Sequence, residues 1–260
     1  MPALKLAVSL RGLRLPLKKA LGAAAQLGVQ GVEIDGRGEI NPQDITQTGV
    51  RQIKKLCEDL RLGVSAVEFR TRRGYYASDE LSRRVEATKA AMKLAAALGS
   101  RLVVNQIGRV PDDESGADWQ TLVQVLADLG AYGQHIGALL AAETGSEDAP
   151  RLRKLLDALP AGALVVALNP GNLIINGFAP LDAIELLSSE IAYVRAKDGV
   201  RDLAQGRGIE VQLGRGSADF PALLGALEQR GYRGAICVAG EPGGDPIEVF
   251  GLAVEYLRSL

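Results

Sequence analysis

The strongest constraint on the fold of this chain is a rhythm. Eight short apolar runs alternate with amphipathic segments, at roughly thirty residues per unit. The runs are Leu6–Leu10, Val29–Asp35, Val64–Phe69, Leu102–Ile107, Ala138–Thr144, Leu164–Asn169, Ile191–Val194 and Ala235–Glu241. Each is short, dense in Val, Ile, Leu and Ala, and bounded by turn residues. That pattern predicts strands buried on both faces, as in a parallel sheet covered by helices. The segments between them place apolar residues at helical spacing, for example Leu17, Leu21, Ala24 and Leu27, or Ile53, Leu56, Cys57 and Leu60. Pro16 opens the first of these, and Gly28, Gly63 and Gly99 stand where helices should end. Thr48, Ser78, Asp148 and Asp245 stand where N-caps are expected. Pro170-Gly171-Asn172 reads as a turn, and a short helix is expected near Pro180 to Leu187.

Eight such units, with no linker or low-complexity run, predict an α/β protein: a single (β/α)8 TIM barrel spanning residues 1–260. An open doubly wound sheet is the alternative, but no Gly-x-Gly-x-x-Gly follows the first strand. The chain carries 30 Lys and Arg against 31 Asp and Glu, for a net charge of -1, which argues against nucleic-acid binding through bulk charge. No apolar stretch approaches a membrane span, and the first fifteen residues lack a signal-peptide core. The two cysteines, Cys57 and Cys237, sit in apolar patterns rather than a disulfide framework. The expected setting is therefore the cytoplasm, with no membrane or nucleic-acid partner. Oligomeric state is open, a homo-oligomer included. His135, the one histidine, falls near a helix end and reads as structural.

A barrel carries its function at the carboxyl ends of its strands. Those ends are polar here: Glu33 and Asp35, Glu68 and Arg70, Asn105 and Gln106, Glu143, Asn169 and Asn172, Arg195 and Lys197, and Glu241. The run Tyr193-Val194-Arg195-Ala196-Lys197-Asp198-Gly199 is the most pointed. Arg195 and Lys197 share a parity and face one side of the strand; Asp198 faces the other. Glu143 closes a strand of alanines and leucines. Arg70, Arg72, Arg73, Arg195, Lys197, Arg207 and Arg215 all fall in loops expected on this face. Gly214-Arg215-Gly216-Ser217 precedes a helix, where free amides could hold an anion. Together these features favour an anionic small ligand.

The last third of the chain resembles the sugar phosphate isomerase/epimerase family, xylose isomerase-like barrels related to the second family of apurinic endonucleases. The matching features are Glu143, the Lys197-Asp198 pair, Gly214-Arg215-Gly216, Gly231-Tyr232-Arg233-Gly234, and Leu27-Gly28-Val29-Gln30-Gly31-Val32-Glu33-Ile34 near the N-terminus. The resemblance implies a divalent metal, such as Mn or Zn, held by Glu, Asp, His and Glu from the fifth to eighth strands. Here Glu143 keeps the first position, Asn169 stands for the Asp and Arg195 for the His. Ala239 stands for the last Glu, with Glu241 two residues on. Asn172 stands where a substrate-contacting His usually follows. A guanidinium cannot ligate a cation and would repel one. The expectation is no tightly bound metal, with Arg195 paired to Glu143 in the ion's electrostatic place.

Two functional readings follow. In the first, the chain is a sugar (phosphate) isomerase or epimerase that works without the family's metal. Glu143 or Glu241 is the base, Arg195 and Lys197 stabilise an oxyanion, and Asn169, Asn172, Asp198, Arg70 and Arg215 bind substrate. In the second, it is a catalytically inactive barrel that binds a sugar or an anionic metabolite.

Overall fold

The computed structural model describes residues 4–202, 207–241 and 243–260. In chain order the strands are β1 (Leu6–Ser9), β2 (Gly31–Asp35), β3 (Gly63–Glu68), β4 (Leu102–Asn105), β5 (Leu139–Glu143), β6 (Val165–Leu168), β7 (Ile191–Ala196), β8 (Asp198–Asp202), β9 (Arg207–Val211) and β10 (Ile236–Val238). The helices are α1 (Leu10–Leu13), α2 (Leu17–Gln26), α3 (Gln47–Asp59), α4 (Leu81–Ala97), α5 (Ala117–Ile136), α6 (Ala149–Ala158), α7 (Pro170–Ile175), α8 (Pro180–Leu187), α9 (Phe220–Gln229) and α10 (Pro246–Ser259). Eight of the strands, all parallel, close into a barrel in the order β1, β10, β7, β6, β5, β4, β3, β2. All eight expected apolar runs form these strands, and the chain is a (β/α)8 barrel.

Strand residues of one parity point outward and join the helices in the main core. Val8, Val32, Ile34, Val67, Val103, Leu140, Val166, Val194 and Ile236 all belong to it. Residues of the other parity fill the barrel. One interior layer consists of Ala7, Ala66, Val104, Ala141, Ala167, Tyr193 and Cys237. Its four alanines make room for one large ring, Tyr193, which is 1% exposed. Two residues further along each strand, about 7 Å closer to the carboxyl ends, stand Ser9, Glu68, Gln106, Glu143, Asn169, Arg195 and Ala239. Glu33 joins this level from β2, in register with Ser9. The barrel thus changes from apolar to polar within one layer.

Three local expectations change. The cap of α3 is Thr46, whose Oγ1 accepts from Gly49 N at 3.1 Å, rather than Thr48. Ser78 does not cap α4 through its side chain; Glu80 takes the N-cap position in a left-handed conformation, φ 50°. Pro170-Gly171-Asn172 is the first turn of α7, capped by Asn169, whose Oδ1 accepts from Asn172 N at 2.9 Å. Asp148 and Asp245 cap α6 and α10 as expected. The segment expected as loop after β7 contains the antiparallel hairpin of β8 and β9, with Gly199 opposite Glu210. Its strands are short and charged, so no apolar run announces them.

Candidate active site

The polar level of the barrel is organised by one guanidinium. Arg195 Nη1 donates to Glu143 Oε1 at 2.7 Å, and Nη2 donates to Glu33 Oε1 at 2.9 Å. Glu68 Oε1 lies 3.0 Å from the same Nη2. All four groups are nearly inaccessible: Glu33 0%, Glu68 2%, Glu143 5% and Arg195 6% exposed. Burial on this scale costs several kcal/mol per ion. Contacts near 3 Å return about 6 kcal/mol each at an effective dielectric near 20. One cation cannot neutralise three carboxylates, and the pKa values divide accordingly. Burial, reinforced by Glu68 and Glu143 and opposed by Arg195, pushes Glu33 up to about 7. Burial acts on Glu143 in the same direction, but Arg195, the Asn169 hydrogen bond and Lys197 outweigh it and hold this carboxyl below the usual range. Burial opposes the Arg195 charge, yet Glu143, Glu33 and Glu68 bind its proton more firmly than in water.

Glu143 is also held by neutral donors. Asn169 Nδ2 donates to Oε1 at 2.7 Å and Gln106 Nε2 donates to Oε2 at 3.1 Å. Above this floor lies a pocket of about 340 Å³, lined by Ser9, Arg11, Glu68, Arg70, Gln106, Glu143, Asn172, Arg195, Lys197, Glu210 and Glu241, with Gly12 and Gly240. Lys197 Nζ lies 2.5 Å from Glu210 Oε2. Arg11 Nη2 donates to Glu241 Oε1 at 2.5 Å and its other nitrogens approach Asp35 and Glu68 at 3.8 and 3.9 Å. Arg70 Nε lies 3.7 Å from Glu68 Oε1. A larger cleft of about 630 Å³ lies further out, past Arg109, Glu147, Arg151 and Phe178. Its cations Arg151 and Lys154 are paired with Asp112 and Glu114.

The residues expected at the site divide into two sets. Glu143, Arg195, Lys197, Asn172, Arg70 and Glu241 line the pocket, and Asn169 supports it through Glu143. Asp198 and Arg215 do not line it. Asp198, 1% exposed, accepts from the backbone N–H groups of Gly199, Gly214, Gly216 and Ala218 at 2.8 to 3.0 Å. The amides of Arg215 and Ser217 go to Gln212 O and Gly199 O. The expectation of free amides at Gly214–Ser217 is therefore corrected: the protein's own carboxylate and carbonyls occupy them. Arg72, Arg73 and Arg215 are exposed, and Arg73 pairs with Asp79 at 2.7 Å. The side chain of Arg207 lies outside the described residues. Glu33, Glu68 and Gln106 were visible as polar strand ends without an assigned role. Arg11, Ser9 and Glu210 gave little signal; only the alternation in Ile209-Glu210-Val211 hints at an exposed strand with one face turned inward.

The donor set does not fit a divalent cation. Arg195 offers no lone pair and points its charge at Glu143, Asn169 is neutral, and Ala239 has no donor. Among the described residues, no group of three or more His, Cys, Asp or Glu is arranged to hold a metal ion.

A closed parallel barrel with its polar side chains gathered at the strand carboxyl ends defines the class: a (β/α)8 protein with a polar pocket in its mouth, the candidate site. The chain belongs to the xylose isomerase-like TIM barrel family, which matches residues 21–260. Its structure is similar to that of a xylose isomerase domain protein from Planctomyces limnophilus, with a TM-score of 0.88, 23% identity, and 99% and 97% of the two chains covered. It is also similar to the 3-keto-D-glucoside 4-epimerase YcjR from E. coli, with a TM-score of 0.78, 14% identity, and 99% and 100% covered. A D-allulose 3-epimerase from Methylomonas sp., solved in complex with D-allulose, matches with a TM-score of 0.75, 19% identity, and 99% and 97% covered. At these identities the likeness establishes the fold. No curated protein matches the sequence.

Proposed function

We propose that this barrel binds a small carbohydrate in its mouth and moves a proton next to the sugar's carbonyl, as an isomerase or epimerase, without a divalent metal. The observation that carries the reading is the Arg195 to Glu143 contact of 2.7 Å at the floor of a polar pocket. A fixed organic cation at the position that the family resemblance gives to a metal ligand supports the metal-free reading. Sugar epimerases among the structural neighbours support a polyol ligand for a pocket of this size and lining. In this reading Arg195 and Lys197 offset charge that develops on the carbonyl oxygen. Asn172 and Arg70 contact hydroxyls, and Asn169 and Gln106 hold Glu143 in place.

The test is hydrogen exchange in heavy water with D-tagatose, D-allulose and D-fructose, with manganese and with a chelator. Deuterium uptake that is indifferent to the chelator, and that falls in Glu143→Gln because Arg195 loses the carboxylate that holds it at the pocket floor, is the expected result. Uptake that appears only with manganese would sink the metal-free reading.

One observation favours a second reading, a barrel that binds but does not turn over. Glu143 accepts three hydrogen bonds and has a lowered pKa, which makes it a weak base. Thermal stabilisation by a sugar, with no exchange for any of the three, would decide for that reading.

A further inference from the structure

Ala239 and Gly240 leave a gap where the barrel's eighth strand ends. The resemblance places a glutamate at Ala239, and the structure fills the space beside it from elsewhere. Glu210, on β9, reaches in from the hairpin. Its Oε1 accepts from Glu241 N at 3.0 Å, and its Oε2 lies 2.5 Å from Lys197 Nζ. A Cβ at position 240 would collide with Glu210 Oε1, so the missing side chain is what admits the carboxylate. Gly240 also has φ +132°, a backbone shape that other residues rarely adopt. The hairpin that carries Glu210 is fixed at its base by Asp198, whose carboxylate gathers the amides of Gly199, Gly214, Gly216 and Ala218. The residue is thus placed by three separate devices: a hairpin register, a glycine slot and an ion pair.

The other pocket carboxylates are less suited to meet substrate. Glu143 is 3% exposed at its side chain and carries three donors. Glu68 is also 3% exposed, beneath Arg195 and Arg70. Glu241 is 64% exposed and paired with Arg11. Glu210, at 29%, lines the pocket while remaining reachable.

We infer that Glu210 is a catalytic acid–base residue, the carboxylate that the eighth strand no longer supplies, delivered instead by the hairpin after β7. The inference rests on the proton-transfer reading above. In the step it performs, a carboxylate oxygen of Glu210 takes the proton from the carbon next to the carbonyl. The C–H electron pair becomes the C=C bond of an enediolate, and the carbonyl π pair moves onto oxygen, facing Lys197. Return of a proton to carbon restores a carbonyl, so nothing is oxidised or reduced and no co-reactant is consumed.

The experiment is the same exchange assay on the full chain, comparing wild type with Glu210→Gln and Glu210→Asp, with D-tagatose, D-allulose and D-fructose as probes. Both variants should keep the wild-type melting curve. Glu210→Gln should lower kcat by about 100-fold or more with KM little changed, the usual size of a lost general base. Glu210→Asp, which keeps the charge but withdraws it by one methylene, should be intermediate, again in kcat rather than KM. Exchange by wild type that Glu210→Gln leaves intact overturns the assignment while sparing the proton-transfer reading. A loss in Glu210→Gln that falls on KM, with kcat unmoved, also overturns it, because that marks a binding or structural group. No exchange by wild type overturns both.

Discussion

Arg195, near the end of β7, and Asp198, the first residue of β8, lie three residues apart, and the protein neutralises these two buried charges in different ways. Asp198 faces the outer side and is surrounded by four backbone N–H groups. Those dipoles are fixed by the fold, add no net charge and bind no proton. Gly216 takes part for steric reasons as well, since a Cβ there would strike the Asp198 carboxylate. Arg195 faces the barrel interior and is surrounded by Glu33, Glu68 and Glu143. That arrangement overcompensates the cation, and Glu33, raised chiefly by burial and further by Glu68 and Glu143 against the pull of Arg195, is the member pushed up to about 7. Dipolar solvation gives a permanent anchor for the hairpin. Ionic solvation gives a cluster whose charge changes near neutral pH, which suits a site and is costly as a scaffold.

The largest effect should come from the anchor. Asp198→Ala would leave four amides without partners and cost about 5 kcal/mol, at roughly 1 kcal/mol or more each. Urea unfolding should show it equally at pH 5.5 and pH 7.5. A small or pH-dependent loss would erase the contrast with Arg195.

Arg195→Leu comes next. Removing the cation strands buried carboxylates, which costs about 4 kcal/mol near pH 7.5. The loss should shrink at pH 5.5, where those carboxyls can take protons. Equal losses at the two pH values would mean that the cluster does not respond to charge as the structure implies.

The smallest effect sharpens the same point through Glu33 alone. Its carboxyl is pushed from 4.5 to about 7 by burial. Between those values the folded state holds a proton that the unfolded state releases. Stability from this group is therefore fully present below pH 4.5 and is lost as pH rises through 7. Glu33→Gln should remove about 2 kcal/mol of that slope between pH 5 and pH 7.5. Glu39 and Glu147, also raised to about 7 by burial, add slope of the same sign that the variant keeps. Denaturant melts across the range would measure it, and an unchanged slope in the variant would locate the titration elsewhere.

How much of this was legible in the chain depends on the range of the interactions. Strand positions follow from local apolar runs, and inward or outward facing follows from a period of two. Arg195 and Lys197 could therefore be assigned to one side and Asp198 to the other before any contact was known. Glu143 and Asn169 could be placed at the mouth for the same reason. Parity does not say which partner arrives. Asp198 looked available to substrate, and its partners are amides up to twenty residues away, brought by a hairpin and turn with little apolar signal. Glu241 looked like the last carboxylate, and Glu210 holds the space beside it.

The sequence by itself determined the eightfold alternation, the polar ring at the strand ends and the loss of imidazole and carboxylate at the positions the family resemblance assigns to metal ligands. These are properties of short windows, set by side-chain period and chemical type. Only the tertiary structure decided that Arg195 meets Glu33, 162 residues away, and that a glycine slot seats Glu210 against Lys197. Those meetings depend on barrel closure and hairpin register, where a shift of one residue turns a side chain to the opposite face.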